Sequence, residues 1–232
     1  MEQGWRDRLR PLHRYYRREI PARVHLLLMT DRPISTSYGS DRGIPADRHY
    51  IEEFLRTHAD AIRGRCLEIH HDQYVTRFGG RAVEKVDVLD IDPNNERATL
   101  IGDLQRLGSV VASDHYNCVV VTQTLQYLPQ PHLGVGELYR ILAPGGTLLV
   151  TVPCLSRTEP GHDDVDFWRF MPSGARLLFS EAPWSDVEVT AFGNTLVGMA
   201  IWEGLAVEDL PSRAWRRHDA DWPCVVGVRA TK

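Results

Sequence analysis

Two kinds of hydrophobic pattern alternate along most of this chain. Short, near-continuous runs of Val, Leu, Ile and Cys, such as the run inside Tyr116–Thr122, are typical of strands covered on both faces of a parallel sheet. Segments in which apolar residues return every three or four positions, such as Asp47–Ile62, are typical of helices that bury one face. Strands and helices that alternate in this way predict an α/β fold.

The predicted elements follow one another in a regular order. The strands are predicted at Arg65–Ile69, Val86–Ile91, Ala98–Ile101, Tyr116–Thr122, Thr147–Val152, Asp186–Phe192 and Cys224–Ala230. The helices are predicted at Asp47–Ile62, His132–Leu142, Pro172–Phe179 and over most of Thr195–Leu210. This order predicts a Rossmann-like doubly wound sheet, mostly parallel with an antiparallel last strand, and helices on both faces. Ligands of such sheets bind beyond the carboxyl ends of the strands, so the chemistry is expected there.

Length and composition favour one domain with elaborated ends. The 232 residues are 43% hydrophobic and 25% charged, which is typical of a globular chain. We expect a single domain over 1–232, with an N-terminal helical lead-in or lid at 1–64, a ligand-binding core at 65–153, and a substrate loop and C-terminal elaboration at 154–232. The net charge of −4 argues against a general affinity for nucleic acid. Seven arginines between Arg6 and Arg23 are interpreted as a solvated face, or as a contact for an anionic ligand or membrane surface.

Neither a membrane span nor a disulfide framework is predicted. The longest apolar run near the start, Leu26–Met29, is far shorter than the ~20 residues that cross a bilayer, and no signal-peptide pattern is visible. The four cysteines form no C-x-x-C pair, and three of them fall in predicted strands. We therefore expect reduced core cysteines in a cytoplasmic protein, and no zinc site.

Polar side chains follow each of the first four predicted strands. These strand ends are Cys66–Tyr74, Val88–Pro93, Leu100–Leu104 and Val121–Tyr127. A carboxylate at such a position can accept hydrogen bonds from both hydroxyls of a ribose. Further along, a predicted helix runs into Pro144, Gly145 and Gly146 and a strand follows at once, because two glycines permit a tight reversal.

These segments, taken in order, resemble class I S-adenosylmethionine (SAM) dependent methyltransferases. Arg140–Gly146 is similar to the R-x-L-x-P-G-G turn that precedes strand five in that family. Glu68, Asp90 and Asp103 stand where the family has acidic residues after its first three strands. The resemblance is strong over 65–153, which implies a SAM-binding core there, and it is looser elsewhere.

The resemblance implies a set of cofactor contacts. Asp90 is the candidate for the ribose hydroxyls, with Asp92 as the alternate. Asp103, together with the backbone N–H of Leu104, is the candidate for the adenine ring. The residues implied as cofactor-binding are Glu68, His70, Asp72, Asp90, Asp92, Asp103, Leu104, Thr122, Gln123, Tyr38 and Arg48.

The chain departs from the family at the end of strand one. His70, Asp72 and Tyr74 occupy the positions of the three glycines of G-x-G-x-G, which let the backbone approach the cofactor. Gly79 and Gly80 come too late in the chain to replace them directly.

An upstream block is similar to a branch of this superfamily that is associated with glycan assembly. Arg42–Leu55 matches the pattern R-G-x-P-x-D-R-x-Y-I-E-x-F-L, and Trp168–Phe170 matches W-R-F. We expect the helix that starts near Asp47 to act as a lid over the strand ends, or else to be ordinary N-terminal packing. The residues expected to bind substrate are Gln126, Tyr127, Trp168, Arg169 and Tyr50.

The proton acceptor is expected in the loop after strand five. His162 has an unperturbed pKa near ~6.5, and Asp163 and Asp166 could orient it. Asp163, Asp164 and Asp166 could instead bind Mg²⁺ through oxygen ligands, or only cap a helix. His70 is the second catalytic candidate, because it lies where the sulfur of the cofactor is expected.

We therefore predict an enzyme that transfers a methyl group from SAM to a hydroxyl and leaves S-adenosylhomocysteine (SAH). A sugar or glycan precursor is the leading acceptor, either a small molecule or an oligosaccharide. The alternatives are a SAM-binding pseudo-methyltransferase, a methyltransferase of another small natural product, an NAD(P)-dependent oxidoreductase and a partner-binding module. The apolar helix within the C-terminal insertion, Gly193–Trp222, suits burial or a homodimer interface.

Overall fold

The computed structural model describes residues 31–159, 161 and 164–232. The chain divides into two compact units, Met1–Ile34 and Ser35–Lys232, and the elements below belong to the second. The arginine cluster between Arg6 and Arg23, and the lead-in before residue 31, lie outside the described residues. Over the part that is described, the search for a helix long and apolar enough to cross a membrane finds none.

One sheet of seven strands organises this unit. The strands are β1 (Gly64–Ile69), β2 (Val83–Asp90), β3 (Leu100–Ile101), β4 (Tyr116–Thr122), β5 (Leu142–Pro153), β6 (Asp186–Phe192) and β7 (Val225–Thr231). They lie in the order β3-β2-β1-β4-β5-β7-β6. Strands β1 to β5 pair in parallel, whereas β7 is antiparallel to both β5 and β6. The predicted fold class, a mostly parallel doubly wound sheet with an antiparallel last strand, is confirmed.

Helices cover both faces of the sheet. They are α1 (Ala46–Thr57), α2 (Gln73–Gly79), α3 (Pro131–Ile141), α4 (Pro172–Phe179) and α5 (Thr195–Glu203). Because strand residues alternate between faces, Val119 and Val121 of β4 pack with α3 and α4, while Cys118 and Val120 pack with α1, α2 and α5. The four cysteines are free thiols, as expected.

Some boundaries differ from the prediction for identifiable reasons. The helix predicted at Asp47–Ile62 ends at Thr57 and continues as a short 3₁₀ turn. The last helix ends at Glu203 because Gly204 adopts the left-handed conformation (φ +66°) that closes a helix. Strand β5 begins at Leu142, before the predicted start, because Leu142 already pairs with Tyr116 of β4.

Candidate active site

A cavity of about 390 Å³ opens at the carboxyl ends of β1, β4 and β5. The sheet order reverses between β1 and β4, which is where ligands of doubly wound sheets bind. The cavity wall combines residues from the segment before α1, the first turn of α1, the loop after β1, the end of β4 and the loop after β5. It is lined by Ser37, Tyr38, Ser40, Pro45, Asp47, Arg48, Ile51, His71, Tyr74, Thr122, Gln123, Gln126, Tyr127, Pro153, Ser156, Arg157, Glu159, Asp166 and Arg169.

Glu68 lies beneath the loop after β1 and is fully buried. Its carboxylate accepts the backbone N–H groups of Tyr74 (3.2 Å) and Val75 (2.7 Å) at the start of α2. The Nδ1 atom of His71 lies 2.7 Å from the same carboxylate. Asp72, the residue before α2, makes no side-chain bond to that first turn. Glu68 therefore caps a helix that the sequence analysis did not predict, because seven residues are too few to show a helical period.

His70 and Asp90 are in contact at the ends of β1 and β2. The Asp90 carboxylate accepts from Nδ1 of His70 (2.8 Å), the side-chain amide of Asn95 (2.5 Å) and the N–H of Asp92 (2.9 Å). Burial alone would raise the pKa of Asp90, but these hydrogen bonds outweigh it and hold that pKa below its ordinary value. His70 is 73% exposed and adopts φ +69°, the left-handed conformation that a glycine would adopt freely.

The other carboxylates near these strand ends are engaged in local turns. Asp92 is exposed and accepts from both amide groups of Asn94. Asp103 accepts from the N–H of Gln105 at 2.9 Å, while Leu104 is buried in the core. The carboxylate of Asp72 lies 3.9 Å from a surface arginine. None of these three side chains lines the cavity described above.

The end of β4 brings four predicted residues into the cavity wall. Thr122, Gln123, Gln126 and Tyr127 all line it. Gln123 adopts φ +48° and donates its N–H to the carbonyl of Thr151 on β5 (2.8 Å), which fixes the chain after the strand. Gln126 is buried, and its side-chain N–H donates to the carbonyl of Gln123 (2.9 Å).

The loop after β5 is held together by one ion pair. Arg169 binds both oxygens of Asp166, and its remaining N–H groups donate to the carbonyls of Ser156, Arg157 and Trp168. All five guanidinium donors are thus used within the loop. Burial counts against the charge, but the Asp166 hydrogen bond outweighs it and raises the pKa of Arg169. Arg169 and Asp166 therefore shape the cavity wall.

Trp168, a predicted substrate contact, packs on the outer side of the same loop. Its Nε1 donates to the carbonyl of Leu128 (2.9 Å), and its ring is 43% exposed. His162 and Asp163, the leading catalytic candidates, lie outside the described residues. Asp164 is exposed. Within the described ranges, no group of three or more His, Cys, Asp or Glu side chains is arranged to hold a metal ion.

The segment before α1 closes the cavity against the loop after β5. Arg157 stacks on the ring of Tyr38 (3.8 Å from its guanidinium carbon to the ring centre) and donates to the carbonyl of Thr36 (2.6 Å). Burial and a hydrogen bond to Glu159 raise the pKa of Tyr38 well above its ordinary value, so the phenol stays protonated. Arg157 and Glu159 belong to the site although the sequence analysis did not select them. Both lie half-buried in a loop, which gives no periodic signal along the chain.

Helix α1 contributes two polar residues of its first turn to the cavity, Asp47 and Arg48. Tyr50, which was expected to touch substrate, is instead fully buried; its ring stacks on Phe192 and meets Trp215 edge to face. The helical period turns Tyr50 toward the sheet, away from the side that carries Arg48.

Besides Nδ1 of His71, which lies beside the Glu68 carboxylate, two polar atoms in the cavity wall are buried without a hydrogen bond to any described residue. They are the amide oxygen Oε1 of Gln126 and the N–H at Nε of Arg157. One needs a donor and the other needs an acceptor. Buried polar atoms without partners are uncommon, and a bound ligand or water usually satisfies them.

Comparison with known proteins agrees with this architecture. Residues 72–150, less than half of the chain, match the model of a family described as methyltransferase domain. This segment is similar to that family, in agreement with the prediction of a methyltransferase. No curated protein matches the chain by sequence.

Solved structures share this fold at low sequence identity. A SAM dependent methyltransferase from Archaeoglobus fulgidus has a TM-score of 0.54 at 14% identity, covering 80% of this chain and 94% of that chain. One from Mesorhizobium loti has a TM-score of 0.55 at 14% identity, covering 77% and 95%. The cyclase SpnF has a TM-score of 0.56 at 14% identity, covering 88% of both chains.

Proposed function

We propose that this protein transfers a methyl group from SAM to a hydroxyl group of a sugar or glycan precursor. We infer the chemical class of the acceptor from the two atoms in the cavity wall that lack a hydrogen-bond partner. A hydroxyl can donate to Oε1 of Gln126 and accept from Nε–H of Arg157, whereas an amine cation or a thiol would satisfy at most one of them well.

The residues of the site fit SAM. The cavity of about 390 Å³ falls within the roughly 300–1,000 Å³ of small-molecule sites. Asp90, at the end of β2, keeps a low pKa and is the proposed partner of the ribose hydroxyls. Its contact with His70 is exposed, so a ligand can exchange it for its own hydroxyl. Asp103 and Leu104 are the proposed adenine contacts, with Asp92 as the alternate ribose partner.

At the opposite end of the cofactor, Arg48 and Tyr38 are the proposed contacts of its carboxylate. A guanidinium pairs well with a carboxylate, and the protonated phenol of Tyr38 donates a hydrogen bond. Thr122, Gln123 and His71 line the wall between these ends. Glu68 would act through the loop that it holds, and Asp72 stays a predicted cofactor contact.

The chain's own residues would orient the reactants and exclude water. When bound, SAM supplies a methyl group on a positively charged sulfur, which is already activated for transfer. Nε–H of Arg157 would donate to the acceptor oxygen, Oε1 of Gln126 would accept from a neighbouring hydroxyl of the acceptor, and Tyr127 would cover them. Holding two reactants in line can supply ~7–11 kcal/mol of the barrier. The loop joined by Asp166 and Arg169 keeps this wall in place.

A second candidate is a protein that binds SAM without transferring its methyl group. The observation that favours it is the loop after β1, where His70, Asp72 and Tyr74 replace glycines and His70 contacts Asp90. The cyclase SpnF has the same fold and its name describes a different reaction, so the fold alone does not fix the chemistry. The single domain over 1–232, the homodimer, the cytoplasmic location and catalytic roles for His70, His162 and Asp163 stay predictions.

Calorimetric titration with SAM and SAH tests the cofactor part of the proposal. We expect the wild-type protein to bind both, and Asp90→Ala to weaken binding by about 10- to 100-fold, because a hydrogen bond to a charged group contributes ~1.5–3 kcal/mol. Asp186→Ala, an exposed carboxylate on the edge strand β6, is the matched control and should bind normally. No binding of either nucleoside would refute both candidates.

A turnover assay tests the acceptor. The protein is incubated with SAM and a panel of free, nucleotide-linked and oligomeric sugars, and SAH release is followed. We expect release with a hydroxylated sugar and none with its deoxy analogue at the methylated position. Tight SAM binding without SAH release on any sugar or other small hydroxylated acceptor would favour the second candidate.

A further inference from the structure

A carboxylate occupies the apolar face of α1. Asp47 lies one turn before Ile51 and two turns before Phe54, and both of those side chains are buried. A charged residue at such a position costs free energy unless it has a partner or a task. Asp47 lies in the cavity wall beside Ile51 and Tyr74.

The rest of the upstream block has structural tasks. Arg42 forms a two-bonded ion pair with Asp209, and Pro45 pairs with Ala206, so both attach the block to the C-terminal insertion. The apolar residues of α1 enter the core between the helix and the sheet. Four residues of the block line the cavity, and two of them, Asp47 and Arg48, are charged.

The other carboxylates in the wall already have side-chain partners. Asp166 is held by Arg169 through both oxygens, and Glu159 accepts a hydrogen bond from Tyr38. The hydrogen bonds that the structure gives the Asp47 carboxylate come from backbone N–H groups, its own and that of Arg48. Burial outweighs these bonds and raises the pKa of Asp47 above its ordinary value, which makes its carboxylate a stronger base.

We propose that Asp47 is the carboxylate at the methyl-transfer position and that it accepts the proton of the acceptor hydroxyl. The inference rests on the proposed function. The acceptor O–H bond breaks and its proton moves to a carboxylate oxygen of Asp47. The acceptor oxygen forms a bond to the methyl carbon, while the carbon–sulfur bond breaks and its electron pair stays on sulfur. The Nε–H of Arg157 would donate to the same oxygen, while Oε1 of Gln126 would accept from a second hydroxyl of the acceptor.

The inference can be tested without knowing the acceptor. Sinefungin is a SAM analogue that carries an ammonium group at the position of the transferred methyl, whereas SAH has no charge there. A carboxylate at that position should make the protein prefer sinefungin to SAH by about tenfold or more, because an opposite charge within about 4–6 Å favours a charged group at least to that extent. The ratio of the two dissociation constants, measured by calorimetry, is the readout.

Four proteins are compared. Asp47→Asn should bind SAH within about threefold of wild type and lose the preference for sinefungin, whereas Asp47→Glu keeps the charge and should retain most of it. Asp60→Asn removes an exposed carboxylate from the first turn of the 3₁₀ helix at the opposite edge of the sheet, so its ratio should equal that of wild type. Because the readout is a ratio of two ligands on one protein, a loss of folded protein does not change it.

The outcomes separate the two proposals. If the wild-type protein binds SAH but shows no preference for sinefungin, or if Asp47→Asn keeps the preference, Asp47 is not at the methyl position and this inference is overturned. If the wild-type protein binds neither ligand, the proposed function fails, and the inference fails with it. A preference that disappears only in Asp47→Asn supports the assignment.

Discussion

Replacing Glu68 by glutamine tests how this chain builds its ligand-binding loop without glycines. Glu68 is fully buried, and its two oxygens accept the N–H groups of Tyr74 and Val75 at the start of α2. A helix of seven residues has little stability of its own, because the free energy cost of forming the first turn exceeds the stabilisation from the few hydrogen bonds that follow. Glutamine keeps the shape of the side chain but turns an NH₂ group toward one of these donors.

The magnitude follows from those two bonds. A hydrogen bond to a charged acceptor contributes about 1.5–3 kcal/mol, and a buried donor left unpaired costs about 1–3 kcal/mol. Since glutamine keeps one bond and leaves one donor unpaired, we expect Glu68→Gln to lower the free energy of unfolding by about 2–4 kcal/mol. For a domain of this size each kcal/mol shifts the melting midpoint by about 2–4 °C, so the midpoint should fall by roughly 4–16 °C.

Urea unfolding, followed by circular dichroism, measures the effect, and SAH titration of the same samples measures the ligand site. Glu84→Gln, an exposed glutamate on β2, is the matched control and should change stability by less than about 0.5 kcal/mol. A Glu68→Gln protein with wild-type stability and weakened SAH binding would refute the reasoning. That result would mean that Glu68 contacts the ligand directly and does not cap α2.

Two further predictions concern the contacts that hold α1, and the segment before it, against the rest of the domain. A Cβ on Gly227 would lie 2.5 Å from the buried ring of Phe54. Gly227→Ala should therefore lower the free energy of unfolding, measured in urea, by about 1–3 kcal/mol. A Cβ on Gly136 would meet open space, so the control Gly136→Ala should be neutral or stabilising. Arg42 lowers the pKa of Asp209 to about 2, so the contribution of this pair is complete above the ordinary pKa of 3.8 and is lost as the pH falls through about 2. From pH 7 to 5, the urea midpoint of Arg42→Ala should therefore lie below that of wild type by a constant amount. Below pH 4 the difference between the two midpoints should narrow. A difference that stays constant down to pH 3 would contradict this.

The central strands could be predicted from the sequence because they are buried on both faces. Tyr116–Thr122 was predicted with the bounds that the structure has. A run that must be apolar on every side leaves little freedom in where it begins. Helix α2 was not predicted, because its stability comes from Glu68 on a neighbouring strand and not from its own seven residues.

The candidate site was harder to predict because it depends on contacts between distant segments. Arg169 looked like a substrate ligand, but its five donors are satisfied within its own loop, which no spacing along the chain reveals. Arg157 reaches the cavity through its contact with Tyr38, more than a hundred positions away. Asp47 did carry a signal, since it is a carboxylate in register with the buried residues of α1, and such mismatches between charge and helical face often mark functional positions.

The loop after β1 shows how much of a glycine's contribution another residue can supply. Glycine offers the positive φ that the chain needs here and the space for a ligand to approach. His70 supplies the first, because histidine tolerates φ +69° better than a β-branched or bulky residue would. His70 does not leave space for a ligand, since its Nδ1 atom lies 2.8 Å from Oδ2 of Asp90. A ribose that binds Asp90 must therefore replace a hydrogen bond that already exists, and the net gain is smaller than at an open carboxylate. The glycine-poor loop is thus expected to weaken cofactor binding without preventing it, and His70→Gly should tighten it.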